Sequence, residues 1–311
     1  MKNKKQLYIL IGIAAVLVVI AVLTNVNFSS SKSSYKIPTI LFKVDSASID
    51  RIDFEERGEK FTISKTNFLW RITSPVDYQA NQNFVTQMLS SLNRYKIVSL
   101  ASDNPSNKGY FGFNDTGYVK ITVYQSGSPV GSMMIGNMGS SGSHSYIKSA
   151  DDEKIYLADG IVRGFFYKDK GMNEWRDLAM LSINRQHVLS LDFMSPKEHY
   201  TLVKDTATGK FHSTPKDSVN ESNLNSLLSL LQNMNTQGFK DTVISPDVKP
   251  ESVLTVKTKS DEYKIEFIPY SGGKENENYL IRISGIKQLF LVDTTYMNTV
   301  MRTKKDLIVQ K

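Results

Sequence analysis

The stretch SIDRIDF, residues Ser48–Phe54, recurs later in the chain as HVLSLDF, residues His187–Phe193. The two copies lie 139 positions apart, and their apolar residues and their single shared aspartate align at that spacing. The same spacing aligns FTISK (Phe61–Lys65) with YTLVK (Tyr200–Lys204). Because both segments recur in the same order, the sequence predicts an internal duplication.

Each copy continues into an amphipathic helix. Apolar residues recur at i, i+3, i+4 and i+7 in both copies: Val85, Met88, Leu89 and Leu92, then Leu224, Leu227, Leu228 and Leu231. This spacing places them on one face of a helix. Asn81 and Asn220 precede the two helices and are suited to cap them. The pattern predicts one helix in each copy that buries a single face.

Further segments repeat at a spacing of 134 positions. YVKITVY (118–124) aligns with SVLTVKT (252–258), and IVRGFFY (161–167) lies over TYMNTVM (295–301). The strand-like segments alternate apolar and polar residues, which is typical of antiparallel sheets with one solvated face.

These patterns predict an α+β fold made of two tandem repeats of a mainly antiparallel sheet with a covering helix. The first repeat unit spans residues 44–181 and the second spans residues 182–311. Each is expected to have the order strand, strand, helix, three or four strands, short helix.

The N-terminus predicts a transmembrane helix. Residues Leu7–Leu23 contain no charge in 17 positions, and three lysines precede them. A bilayer-spanning helix needs about 17–25 apolar residues, and lysines before it place the N-terminus in the cytoplasm. We predict a cytoplasmic tail (1–6), a single-pass anchor (7–23) in the cytoplasmic membrane, and a linker (24–43). A cleaved signal peptide is the alternative, although Val22 and Leu23 are poor small residues for cleavage.

Composition excludes several classes of function. The chain has no cysteine, which excludes disulfides, thiolate metal sites and cysteine nucleophiles. Its net charge is +7, and three of the lysines lie before the predicted anchor, so no nucleic-acid partner is expected. The histidines, His144, His187, His199 and His212, lack metal-ligand spacing. No GxSxG motif occurs. We expect no catalytic residue, no metal and no cofactor.

Aspartates occupy equivalent places in the two copies. Asp53 aligns with Asp192, and Asp159 aligns with Asp293. Each is predicted at the end of a strand, where its carboxylate would accept hydrogen bonds from turn amides. A paired functional site is the alternative.

Aromatic residues are concentrated in the later part of the first unit. They form the candidate interaction surface of the sequence: Tyr110, Phe111, Phe113, Phe165, Phe166 and Trp175. Core packing, or contact between the two units, is the alternative explanation.

An ordered set of short motifs resembles a known bacterial family, domain of unknown function 4340 (DUF4340). The motifs are a tryptophan and a proline before the helix, a Phe-Gly step, an Ile-Gly step and an Arg-Asp step: Trp70, Pro75, Phe111, Gly112, Ile135, Gly136, Arg176 and Asp177. The resemblance covers most of residues 45–300. It implies membrane anchoring and an association with ABC-type permeases and gliding-motility-type auxiliary proteins. It brings no catalytic residues.

The function predicted from these features is that of a non-enzymatic, membrane-anchored extracytoplasmic protein. It would be an accessory or interaction subunit of an ABC-type transporter complex, with an ABC permease or an auxiliary membrane protein as its partner. The alternative is a module that binds cell-envelope polysaccharide or peptide. An envelope hydrolase is a third possibility.

Overall fold

A computed structural model describes residues 12–17, 37–41, 43–114, 117–168, 171–213, 217–242, 244–245, 247–272 and 278–309. Residues 12–17 are helical and exposed. The rest of the predicted anchor, Leu7–Leu23, lies outside the described residues. Within those ranges, no helix has both the length and the apolar character needed to cross a bilayer. The anchor and the cytoplasmic tail stay predictions.

Nine strands of the described chain form the first sheet: β1 (Arg51–Glu56), β2 (Glu59–Thr66), β3 (Leu69–Ser74), β4 (Tyr78–Gln79), β5 (Ile97–Ser102), β6 (Val119–Gln125), β7 (Ser128–Met138), β8 (His144–Ser149) and β9 (Ile155–Asp159). Their order is β4-β3-β2-β1-β6-β7-β8-β9-β5. In β1, Ile52 and Phe54 are buried, whereas Asp53 and Glu55 are half-buried on the opposite face. This alternation gives the sheet one core face and one solvated face.

The other described strands are β10 (Ala179–Leu181), β11 (Val188–Met194), β12 (His199–Lys204), β13 (Phe211–Ser213), β14 (Met234–Asn235), β15 (Gly238–Lys240), β16 (Ser252–Thr258), β17 (Glu262–Pro269), β18 (Tyr279–Ile283) and β19 (Leu289–Val292). Eight of them form a second sheet in the order β13-β12-β11-β16-β17-β18-β19-β15. Strands β10 and β14 form a separate two-stranded ladder. The structure is therefore α+β with mostly antiparallel sheets.

The α-helices that the structure describes after residue 37 are α1 (Gln82–Ser91), α2 (Val162–Phe166), α3 (Glu221–Gln232), α4 (Thr294–Val300) and α5 (Lys304–Leu307). The longest two, α1 and α3, bury the predicted apolar faces against the two sheets. The side chain of Asn81 accepts a hydrogen bond from the amide of Phe84 at 3.2 Å, and Asn220 accepts one from Asn223 at 3.2 Å. Both predicted caps are confirmed.

The two sheets have corresponding strand orders. Strands β3-β2-β1-β6-β7-β8-β9-β5 of the first match β13-β12-β11-β16-β17-β18-β19-β15 of the second. Phe54 stacks on Phe61 with ring centroids 4.6 Å apart, and Phe193 stacks on Tyr200 at 4.7 Å, each pair directly across two strands. Before its long helix, the first sheet has two more strands than we expected, β3 and β4, and the second has one more, β13. Duplication would produce this correspondence, and duplication itself stays a prediction.

A junction of four side chains joins the two sheets: Arg176, Asp241, Tyr78 and Phe239. The guanidinium of Arg176 donates two hydrogen bonds to Asp241, both at 2.8 Å, and lies 4.6 Å from the ring centroid of Phe239. The rings of Tyr78 and Phe239 pack edge to face at 5.2 Å. Burial raises the pKa of Tyr78 to about 12. The β10–β14 ladder adds backbone pairing between the halves.

The prediction that Asp53 and Asp192 lie at strand ends is wrong. Both lie inside strands, on the solvated face of β1 and β11. Each carboxylate accepts the hydroxyl of the threonine directly across the sheet, Thr62 at 2.9 Å and Thr201 at 2.5 Å. A cross-strand threonine thus replaces the expected turn amide. Asp293 does follow a strand, and its side chain caps α4.

Candidate functional site

A groove of about 250 Å³ lies between α1 and α2. One wall is the outer face of α1 from Thr86 to Ser91, and the other is the turn Asp159–Val162 together with Phe165. Phe165 is 41% exposed and Ile161 is 50% exposed. Large apolar side chains therefore face solvent beside a concave surface, which is a common feature of interaction sites. We call this the α1–α2 groove.

The orientation of α1 follows from its sequence. Its buried face is formed by Val85, Met88 and Leu89. Because a helix places residues three or four positions apart on one face, the small polar residues between them point outward. Thr86 and Ser90 therefore line the groove instead of the core. The polar wall of the groove is the solvent face of an ordinary amphipathic helix.

A buried serine fixes the start of α2. Gly160 has φ +92°, a conformation that favours glycine, and it turns the chain out of β9. The hydroxyl of Ser145, which is fully buried, donates to the carbonyl of Gly160 at 3.3 Å. The same hydroxyl accepts from the amide of Arg163 at 3.1 Å. Ser145 therefore satisfies one of the free amides at the helix start and holds Ile161 at the surface.

Arg163 anchors the inner side of α2. Its guanidinium donates to the carbonyls of Gly117 at 2.9 Å and Gly136 at 2.7 Å. It also lies 4.0 Å from the ring centroid of Tyr167. These contacts join α2 to the loop before β6 and to β7, and they leave Phe165 facing the groove.

The groove lies beside the segment that leads to the predicted anchor. The carbonyl of Thr39 accepts a hydrogen bond from the amide of Ile97 at 2.8 Å. The amide of Leu41 donates to the hydroxyl of Tyr95 at 3.2 Å, and Tyr95 lines the groove. Residues 37–41 therefore run alongside the turn after α1 and the first residue of β5.

The charged residues that line the groove are Arg94 and Asp159, and further basic side chains lie nearby. Arg94 lines it, and the carbonyl of neighbouring Lys96 accepts a hydrogen bond from the amide of Asp159 at 2.8 Å. Both basic side chains are exposed, and so is Lys43 near the start of the described fold.

The structure separates the six aromatic residues of the predicted surface. Phe165 lies in the groove, and Tyr110 is 81% exposed at the tip of another loop. The other four are buried: Phe111, Phe113, Phe166 and Trp175. Phe111 and Phe113 pack in a small cluster with Ile155, whereas the other two belong to the main core of the first sheet. Only Phe165 of the six contributes to the α1–α2 groove.

Ser141, His144 and Asp159 approach one another at the edge of β8. The hydroxyl of Ser141 is 2.8 Å from Nδ1 of His144, and Nε2 of that histidine is 3.8 Å from Asp159. A Ser-His-Asp triad requires a buried carboxylate hydrogen-bonded to the imidazole. Here the Asp159 side chain is 66% exposed and lies beyond hydrogen-bond distance. The geometry favours a solvated loop over a nucleophilic site.

A buried carboxyl group at the end of β1 was missed by the sequence analysis. The side chain of Glu56 is 1% exposed, and its Oε1 accepts from the amide of Lys168 at 3.2 Å. Its Oε2 has no hydrogen-bond partner, and Arg57 is 3.7 Å from Oε1. Burial raises the pKa of Glu56 to about 7. A sequence signal existed, because Glu56 continues the core-facing positions Ile52 and Phe54.

The residues that carry the family resemblance have structural roles. The carbonyl of Phe111 accepts the amide of Asn137 at 2.8 Å, and a Cβ on Gly136 would lie 2.2 Å from that carbonyl oxygen. The backbone of the Phe-Gly step therefore packs directly against the backbone of the Ile-Gly step. The side chain of Gln82 bonds both backbone groups of Trp70, at 2.9 and 2.8 Å. None of the residues that carry the family resemblance lines the part of the α1–α2 groove that the structure describes.

Among the described residues, no group of three or more histidines, aspartates and glutamates is placed to hold a metal ion. The α1–α2 groove combines exposed apolar side chains, Ile161 and Phe165, with a polar helix face and an exposed arginine, Arg94.

A family model described as Domain of unknown function (DUF4340) matches residues 70–255, which is more than half of the 311-residue chain. The match begins at Trp70 and includes every residue of the resemblance. It ends within β16, so it covers only part of the second sheet. No curated protein and no solved structure matches the chain.

Proposed function

Because the chain belongs to the family described as domain of unknown function DUF4340, we propose that it is a non-enzymatic accessory subunit of a membrane complex. In this proposal Leu7–Leu23 anchors it in the cytoplasmic membrane and the two sheets lie on the outer side. The α1–α2 groove contacts the partner. The single observation that carries the proposal is the exposure of Phe165 and Ile161 in a groove that also includes Tyr95, to which Leu41 is hydrogen-bonded.

The position of the groove supports contact at the membrane surface. Thirteen residues separate Leu23 from Ile37. A flexible chain of that length has a root-mean-square span of about 20 Å. The groove, which contacts residues 37–41 through Tyr95, would therefore stay near the bilayer. Confinement of this kind raises the effective concentration for a membrane partner.

The second sheet provides an internal comparison. Helix α4 follows β19 as α2 follows β9, and the aligned positions carry Thr295 and Thr299 where the first unit carries Ile161 and Phe165. The buried positions remain apolar, with Phe166 matched to fully buried Val300. Exposed apolar residues thus occur in the unit that adjoins the predicted tether and are replaced by threonine in the other. This difference supports a contact function for the groove.

The proposed partner is an ABC-type permease or its auxiliary membrane protein. The reason is the association with gliding-motility-type transporter components that the family resemblance implies. The exposed basic side chains in and near the groove, Arg94, Lys96 and Lys43, suit a site at the headgroup level, and the exposed apolar residues suit a protein surface that is itself partly apolar.

Site-specific photocrosslinking in native membranes tests this proposal. A photoreactive phenylalanine analogue is placed at Phe165 and, in a matched control, at Phe68, which is 92% exposed and lies outside the groove. We expect a crosslinked product at Phe165 that contains a multi-span permease or an auxiliary subunit. We expect no such product at Phe68.

Two results would contradict the proposal. One is the absence of any membrane-protein product at Phe165. The other is the same set of products at both positions, which would indicate random collision. As a second measurement, Phe165→Ala should reduce co-purification of the partner, whereas Phe68→Ala should not.

A further inference from the structure

A second groove, of about 260 Å³, lies beside α3 in the second sheet. Its apolar part includes Phe211, Leu224 and Leu228, and its rim carries Arg185, Lys204 and Lys210. The three basic residues come from three segments: the turn before β11, strand β12, and the residue before β13. We call this the α3 groove.

Among the described residues, the three cations have no acidic partner. None of them forms a salt bridge with another described residue, and Glu221 is the only acid in the described lining. Arg185 donates to the side-chain carbonyl of Asn225 at 3.0 Å, and Nζ of Lys204 is 3.3 Å from the carbonyl of Gln186. Neutral acceptors therefore position two of the cations without neutralising their charge.

The first sheet shows why this groove is open. The strand registers pair Lys65 with Trp70 in the first sheet and Lys204 with Phe211 in the second. In each pair the lysine ammonium is 5.9 Å from the aromatic ring centroid. Trp70 is only 6% exposed and belongs to the core cluster that includes residues of α1. The smaller ring of Phe211 is half-buried and leaves space between β13 and α3.

We propose that the α3 groove binds a phosphate-bearing organic anion, with the phosphate between Lys204, Lys210 and Arg185 and the apolar part against Phe211. A phosphate monoester has several acceptor oxygens and up to two negative charges, which matches three cationic donors that line one groove. The apolar floor explains why the ligand is an organic phosphate instead of the inorganic ion.

A bound peptide strand fits this place less well. Strand β13 is the edge of its sheet, and an extended peptide would bind by pairing with it. That edge is already bridged, because His212 pairs with Ser218. The edge of β13 is thus already occupied, and the site beside it is a compact pocket.

The experiment measures binding of hexyl phosphate to the full chain in phosphatidylcholine nanodiscs by calorimetry. Lys204→Gln/Lys210→Gln removes two cations, and Phe211→Trp fills the groove while keeping every charge. We expect each variant to bind at least about tenfold more weakly, since tenfold corresponds to 1.4 kcal/mol. The control Lys249→Gln/Lys287→Gln loses the same charge at exposed positions outside the groove and should bind as the wild type does.

Competition identifies the source of the ligand. Displacement of hexyl phosphate when phosphatidic acid is added to the nanodiscs indicates a lipid headgroup, and no displacement indicates a soluble ester. Both results support the proposal. Three results overturn it: unchanged binding in Phe211→Trp with a wild-type melting temperature, an equal loss in the control, or stronger displacement by a glutamate-rich peptide. None of these measurements depends on the partner proposed for the α1–α2 groove.

Discussion

Asp241→Asn should destabilise the protein more than Arg176→Met, although Arg176 is the buried member of the pair. The Arg176 side chain has no exposed surface, whereas the Asp241 side chain is 37% exposed. Asparagine at position 241 leaves the guanidinium charged and buried without a counterion. Removing one partner of a buried ion pair costs about 3–5 kcal/mol, and we expect about 3 kcal/mol because water reaches the carboxylate side.

Arg176→Met leaves a carboxylate that water can already solvate. Methionine also retains apolar contact with Phe239, whose ring centroid lies 4.6 Å from the guanidinium carbon in the wild type. We therefore expect a loss of about 1–2 kcal/mol, mainly from the charged hydrogen bonds. The double variant contains no buried unpaired charge. Its destabilisation should be smaller than the sum of the two single losses by at least about 1 kcal/mol.

Unfolding of the full chain in detergent provides the assay, followed by circular dichroism and by the fluorescence of Trp175, which adjoins Arg176. A loss of 3 kcal/mol corresponds to a fall in melting temperature of about 6–12 °C for a chain of this size. The control is Asp77→Asn. Asp77 pairs with Arg71 at 2.7 Å but is 72% exposed, so its loss should cost less than about 1 kcal/mol.

Two outcomes would refute this reasoning. The first is a larger loss in Arg176→Met than in Asp241→Asn. The second is additivity of the two substitutions within about 0.5 kcal/mol, which would mean that the pair is not coupled.

Three further predictions concern stability. Because the pKa of Glu56 is about 7 in the native state and 4.5 in an ordinary carboxyl group, the native state holds this proton more tightly than the unfolded state does. The resulting stabilisation is complete below pH 4.5 and is lost as the pH rises to about 7. Glu56→Gln should therefore gain about 1–3 kcal/mol over the wild type above pH 7 and little at pH 4, in urea unfolding; a pH-independent difference would contradict this. Gly136→Ala should cost about 3 kcal/mol or more in the same assay, because its Cβ would meet a backbone oxygen, whereas Gly109→Ala, with open space around it, should be nearly neutral. Asn81→Ala should cost about 1 kcal/mol and lower the melting temperature through loss of the α1 cap; no change would show that the cap is replaced by water.

The long helices and their caps could be predicted because their signals are local. In α1 and α3, four apolar residues at helical spacing follow an asparagine, and all of them are buried in the structure. Strand alternation is also local, so the solvated and buried faces of β1 and β6 were predictable. Strand β13 has only three residues, which is too short for a period of two to be visible.

The candidate site could not be predicted in the same way. Phe165 and Phe166 are neighbours in a five-residue helix, and one is 41% exposed while the other is fully buried. A helix of that length shows no periodicity that distinguishes them. The groove also combines α1 with a turn about 70 residues later, and the Arg176–Asp241 pair joins residues 65 positions apart. Such arrangements are set by tertiary packing, which composition and spacing do not encode.

The differences between the two sheets indicate how the proposed functions are divided. Where the two cores correspond, the buried residues are apolar in both units, but the surfaces differ at two places. Phe165 of the first unit is aligned with Thr299 of the second. Trp70 of the first sheet holds the register position that the smaller Phe211 holds in the second. The first unit therefore has exposed apolar residues in a groove near the predicted tether, and the position beside its long helix is filled. The second unit has threonine at the former place and an open groove at the latter. If the surfaces diverged for separate functions, the effects of substitution must separate too. Phe165→Ala should impair partner contact and leave hexyl phosphate binding intact, whereas Phe211→Trp should do the opposite, and a variant that impairs both would show that the two grooves act as one site.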